Sequence, residues 1–354
     1  MRIKLQANRY LKSEYIVPAV FMVLSLIAWQ FSGLSGSFVL NQVVTRFIRD
    51  GLLVLSLIIP VVAGMGLNFA ITVGAMAIQT ALLLTIAYNI EGIPGMLLAV
   101  VMGVLLSALL GYVMGRILNR VRGKEMITTI IIGFFVNSIY QLIFLVGFGT
   151  VIPVLNKSII LTRGIGVRNT VDLGMYRNTI DKYWLFNIGD IQIPLFMILV
   201  VLLFAGVIYY ILHTRFGQMV KAVGSAAGTS EVLGIDTDRV RIKVMILSTV
   251  LAALGQLIYL QNLGMFDVYT AHMSTDVISC AALLAGGASI KSAKIRHALL
   301  GIFLFHTLFI VSPQAGQNLF HNAALGEYFR SFVAYGTIAF ALIINVRNEK
   351  RLQK

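Results

Sequence analysis

Six stretches of this chain contain no Asp, Glu, Lys or Arg: 51–90, 92–115, 126–156, 191–214, 244–266 and 297–326. A helix needs about 20 apolar residues to cross the hydrocarbon core of a bilayer, so each stretch holds one crossing and the first holds two. Helices of a soluble core keep a polar stripe toward water, and these stretches have none. Composition agrees: 12% of residues are charged, about half the share found in soluble domains. The chain therefore reads as an all-α integral membrane protein, one transmembrane domain over 1–354.

About ten crossings are expected, over 15–34, 51–66, 70–90, 93–115, 126–149, 192–213, 243–263, 275–290, 297–312 and 329–346. The apolar start after Glu14 reads as a retained membrane helix, because no small-residue cleavage pattern follows it. Placing the N-terminus in the cytoplasm puts 1–14, 116–124, 213–243, 291–297 and 347–354 on that side, with 20 of the 28 Lys and Arg. This bias fixes N-in and C-in. The net charge of +14 is thus a matter of topology and implies no nucleic acid. Between the first two crossings, 35–50 mixes Phe38, Val39, Val43, Val44 and Phe47 with Arg46 and Arg49, a pattern suited to a helix in the outer interface. Residues 150–192 form the largest external loop. The single cysteine, Cys280, excludes a disulfide within the chain and reads as a small packing residue.

Two places interrupt the helical pattern at membrane depth. Around 64–74, Gly64, Gly66 and Gly74 surround Asn68 and Thr72. The run 276–290 is short for a crossing and contains Gly286-Gly287. Irregular backbone in a bilayer survives only where protein or a water-filled path surrounds it, and a pair of broken helices is the best sequence pointer to a solute route. The candidate path residues are the polar side chains at depth: Asn68, Thr72, Gln79, Asn137, Gln141, Thr275 and Asp276. Each alone also suits a hydrogen bond between helices. Asp276 differs, since an intramembrane carboxylate is costly unless it has a function.

The most distinctive segment is 213–243. It mixes small residues with Met219, Val220, Val223, Val232, Leu233 and Ile235 and reads as two short helical pieces joined near Gly224–Gly228. A solvated loop has no need of that apolar content, whereas a helix docked in a partner's groove has. The pattern Gly217, Ala222-Val223-Gly224, then Gly234-Ile235-Asp236, resembles the permease subunits of bacterial ABC importers. The closest group is the simple-sugar permeases of ribose and galactose type, with nucleoside and branched-chain amino acid relatives. The Gly66–Gly74 break and Ala285-Gly286-Gly287-Ala288-Ser289 resemble the family's interrupted helices. Residues 66–70 and Ser225-Ala226 depart from the usual sugar-permease pattern, and 123–141 is similar to nucleoside permeases.

The resemblance implies a bacterial cytoplasmic-membrane protein that translocates a small polar solute, a simple sugar first and a nucleoside next. An external binding protein would deliver the solute, a second permease subunit (identical or related) would complete the path, and 213–243 would be the coupling loop on an ATPase partner. Gly217, Ala222, Gly224, Glu231, Gly234 and Ile235 are the expected coupling residues. No cofactor is expected on this chain, since ATP would be bound and hydrolysed by the partner. Nor is catalysis: His213, His272, His297, His306 and His321 form no metal or nucleophile motif. The alternative is an ion-coupled secondary transporter, which would leave the docking-like segment unexplained.

Overall fold

The computed structural model describes residues 2–90, 92–174, 176 and 184–352. Among them are thirteen α-helices: α1 Arg2–Ser32, α2 Gly36–Ser56, α3 Ile58–Val62, α4 Ile71–Ala87, α5 Gly92–Arg120, α6 Glu125–Leu142, α7 Leu195–His213, α8 Arg215–Ser225, α9 Ala227–Val232, α10 Thr237–Leu263, α11 Thr275–Ala285, α12 Ile295–Phe320 and α13 Ala323–Leu352. A π-helical turn, Ile143–Gly147, continues α6. Two short antiparallel pairs complete the fold. Strand β1 (Thr170–Asp172) pairs with β4 (Met265–Asp267), and β2 (Leu185–Ile188) with β3 (Ile191–Pro194). Among the described residues, six helical segments are long and apolar enough to cross a membrane: Glu14–Ser32, Gly92–Arg120, Glu125–Gly147, Leu195–His213, Thr237–Leu263 and Ile295–Phe320.

Helix α5 shows how an entirely apolar sequence chooses a face. Gly95, Ala99, Gly103, Ser107, Gly111 and Gly115 recur at every fourth position on its buried side. Ile93, Leu97, Val101, Leu105 and Leu109 lie exposed on the other. A Cβ at Gly103 would strike Ile78 of α4, and one at Gly111 or Gly115 would press on Ile246 or Ile242 of α10. Small residues let the backbones approach, and close packing replaces the hydrophobic drive that is absent between lipid-bathed helices.

The bundle has two ends. At one, Glu14 accepts from Lys294, Arg296 and His297. There too Gly66 lies against Met126 and Ile290, Gly64 meets Gly224, and Arg241 pairs with Glu125. At the other, Asn318 donates to the Phe31 and Ser32 carbonyls, Asn41 bonds Asp190 and Gln192, and the Ala87 carbonyl accepts from Leu155 and Asn156.

Two expectations need correction. Residues 35–50 are not a separate interfacial helix. They are the first part of a continuous α2 that buries Val39, Val43, Phe47, Ile48 and Asp50. Its charges find partners inside the bundle: Asp50 Oδ2 lies 2.9 Å from His306 Nε2, and the Arg46 guanidinium stands 5.3 Å from the Phe309 ring centre. His306 thus faces a buried carboxylate across the α2–α12 contact. The expected crossing 275–290 contains only the 11-residue α11. At 1.5 Å per residue this helix is about 16 Å long, half a bilayer core.

Candidate functional site

The first interruption lies between α3 and α4. Gly64 and Gly66 take positive φ angles of 74° and 75°, which turn the chain out of the helix at no steric cost. The backbone groups freed there need partners. Asn68, 2% exposed, supplies one and anchors the break with its other end. Its Oδ1 accepts from Ala70 N at 3.0 Å, and its Nδ2 donates to Ser248 Oγ at 3.2 Å. Ser248 in turn donates to the Ser56 carbonyl at 2.9 Å. Thr129 accepts from Phe69 N at 3.3 Å. Asn68 therefore ties the broken segment to α10 and, through Ser248, to α2. Thr72 faces Gly133 of α6, where an added Cβ would stand 3.2 Å from Thr72 Oγ1.

Two turns further along α4, Gln79 meets a side chain that the sequence reading passed over. His272 Nδ1 lies 3.0 Å from Gln79 Oε1, and its Nε2 lies 2.7 Å from Asn137 Oδ1. Gln141 Nε2 donates to the same Asn137 oxygen at 3.4 Å. The Tyr140 ring stands edge-on to the imidazole, 5.1 Å between centres. Gln79, Asn137 and Gln141 thus converge, through His272. Thr275 and Asp276 follow His272 into the first turn of α11, entered through the left-handed Ser274. Asp276 turns its Oδ1 onto Val277 N at 2.8 Å. The signal for His272 is its place, three residues before the path candidate Thr275 and just ahead of the 276–290 interruption.

At the basic end, 213–243 folds as α8, α9 and the start of α10. Thr214 caps α8 by accepting from Gly217 N at 3.3 Å. Gly217 packs on the Ile211 and Leu212 backbone, Gly224 packs on Val62–Gly64 at the end of α3, and Ala222 accepts from Ala226 N. Helix α9 closes in a Schellman motif: Gly234, φ 82°, donates to the Glu231 carbonyl, and Ile235 N to the Ser230 carbonyl. Just before that turn Val232 and Leu233 are 88% and 74% exposed. Glu231 is engaged within the chain, accepting from Arg122 at 2.8 Å and Thr237 at 2.6 Å. Arg122 also reaches Asp238 at 2.7 Å. The tip of this segment, Val232 and Leu233, is therefore apolar and exposed, in a segment that also exposes the polar Arg215, Gln218 and Arg239, while Arg122, Glu231 and Asp238 hold the shape of the turn.

Residues 39–342 match the family model described as the permease component of the branched-chain amino acid transport system. The chain belongs to this permease family. It is similar to the probable ABC transporter permease protein YphD of Escherichia coli K12, 28% identical over 46% of this chain and 47% of the relative. It is also similar to the ribose import permease protein RbsC of the same strain, 25% identical over 54% of this chain and 58% of that protein. The matches thus span about half the length of these curated relatives. No solved structure matches the chain. With its apolar helices, the family places the chain as a multi-pass protein of the bacterial cytoplasmic (inner) membrane.

In this permease Glu231 is held below the usual glutamate range, first by the Thr237 hydroxyl and then by Arg122. A depressed carboxylate stabilises the fold above its ordinary pKa, and the contribution disappears as pH falls through the lowered value. Glu231→Gln is therefore expected to quicken amide hydrogen exchange at Gly234 and Ile235 at neutral pH. The difference from wild type should vanish once acid protonates Glu231. Equal exchange at neutral pH would show that the bridge does not order the turn.

Proposed function

We propose that this permease is the non-catalytic transmembrane subunit of an ATP-driven importer for a small neutral polar solute, a simple sugar first and a nucleoside next. On this reading ten elements enter the membrane, α1, α2–α3, α4, α5, α6, α7, α10, α11, α12 and α13, with the 11-residue α11 reaching only part-way. With the Lys- and Arg-rich end in the cytoplasm, both termini lie inside. On this reading 213–243 is the coupling loop and the 150–192 segment faces outward. ATP is bound by a partner ATPase, solute is delivered by an external binding protein, and a second permease copy or relative completes the path.

The carrying observation is the apolar tip at Val232 and Leu233, 88% and 74% exposed on a capped turn at the basic end. Exposed apolar pairs on rigid supports suit burial against a partner. Their removal tests the reading. Val232→Ser with Leu233→Ser should lose a co-purifying ATP-binding subunit, which the wild type retains at equal stoichiometry in mild detergent. Retention by the variant would move the docking surface elsewhere, and a wild-type chain recovered alone would overturn the ATP-driven reading. The Asp50–His306 pair is the one observation that favours ion coupling instead. Uptake that persists when the proton and sodium gradients are collapsed sinks that alternative.

A further inference from the structure

The side chains joined by His272 carry more acceptor and donor capacity than the fold uses. Gln79 Nε2, Tyr140 Oη and Gln256 Oε1 are all buried without a hydrogen-bond partner among the described residues. Buried polar atoms are nearly always paired, and a cluster of exceptions at one place asks for a missing partner. A neutral imidazole offers one donor and one acceptor. Turning the Gln79 amide end for end lets its Nε2 donate to Nδ1 while Nε2–H of His272 donates to Asn137. In that state Tyr140 Oη and Gln256 Oε1 are still unmet, and the freed Gln79 oxygen joins them.

The set spans a gradient of access. Asn137 and Gln141 are half-buried on α6, while Gln79 and His272 are 0% and 1% exposed. Gln79 lies eight residues before the end of α4, about 12 Å along the helix, so the cluster stands about halfway along α4, inside the bundle. Its side chains are amides, an imidazole and a phenol. No ion pair reaches them among the described residues, and the carboxylate of Asp276 is turned onto its own helix start. We propose that Gln79, Asn137 and His272 form a solute-binding station that takes an uncharged, multiply hydroxylated molecule, with His272 setting its selectivity.

This rests on the permease reading above and narrows its substrate class. A hydroxyl both donates and accepts, which matches a set of amides and imidazole that can each do either. A zwitterionic amino acid would have to leave water without a counter-charge for its carboxylate or its ammonium. Such burial is strongly unfavourable, so the station discriminates against it.

The test uses the full chain with its co-purifying ATPase subunits in lipid vesicles. In a Cys280→Ala background, a polar thiol reagent should label Asn137→Cys and His272→Cys, and leave Phe135→Cys on the exposed apolar face of α6 slower. D-ribose or uridine should slow labelling at Gln141→Cys, which borders the station at Asn137 and leaves its three residues intact, and L-leucine should not. His272→Phe should lower uptake of the protecting solute by about tenfold, the scale of one or two lost buried hydrogen bonds, with His272→Gln restoring part of it. Protection by leucine, no protection by either neutral solute, or unchanged uptake by His272→Phe would each overturn the station. A wild-type complex without an ATPase subunit would instead overturn the importer reading, which the same preparation reports separately.

Discussion

Glu125→Leu is expected to destabilise the permease by about 3–5 kcal/mol, the cost of removing one partner from a buried ion pair. Arg241 Nη2 and Glu125 Oε1 are 2.7 Å apart, with the side chains only 6% and 10% exposed. The same guanidinium donates to Asn119 Oδ1 at 2.9 Å and to the Leu118 carbonyl at 3.3 Å. One side chain of α10 thereby holds the end of α5 and the start of α6 together. Without Glu125 the guanidinium stays buried and charged, because arginine does not give up its proton. Glu125→Leu with Arg241→Met should recover much of the loss, since neither charge then leaves water. The Leu118 carbonyl and Asn119, deprived of a donor, account for the residue, about 1 kcal/mol each. Reversible unfolding of the two single variants and the double in mixed micelles measures the coupling. A cost below about 1 kcal/mol for Glu125→Leu would mean that water reaches the pair and that it behaves as a surface bridge.

What could be read from the sequence was local. Five of the six charge-free runs fold into helices long and apolar enough to cross a membrane, because the physics acts within one helix. The run 51–90 is instead broken between α3 and the 17-residue α4. The chain breaks were equally visible, since Gly64, Gly66 and Gly287 supply backbone angles that other residues resist. Hidden features depended on distant partners. Arg46 and Asp50 looked interfacial because nothing nearby in sequence could neutralise them, and their partners Phe309 and His306 belong to α12. His272 looked isolated for the same reason, its partners being 193 and 135 residues away. Glu231 looked available to a partner protein, while its own Arg122 lies 109 residues upstream. In a membrane protein the rare charges are the residues whose surroundings a sequence window describes least well.

Gly224→Val is expected to remove uptake, by at least about tenfold, which corresponds to about 1.4 kcal/mol on the rate-limiting step, while the ATPase subunit still co-purifies. The argument is geometric. A Cβ on Gly224 would collide with the Val62 carbonyl and lie 3.0 Å from both Ala63 C and Gly64 N. From the other side, a Cβ on Gly64 would stand 2.9 Å from the Gly224 Cα. At Gly224 and Gly64 the end of α8 meets the end of α3 backbone to backbone, so a change of rotamer does not relieve the clash. Overpacking of that kind forces the backbones apart. A displacement of α8 reaches the Gly64–Ala70 break only while this contact is closed, because packed elements move as rigid bodies and a gap between them absorbs motion. Val232 and Leu233, on α9 and its end, keep their exposure, so docking persists while transmission fails. Gly224→Ala carries the same first carbon without the branch and should lose less. Normal uptake by Gly224→Val would show that the loop and the broken helix move independently, and would return the coupling route to α10, another helix that α8 touches.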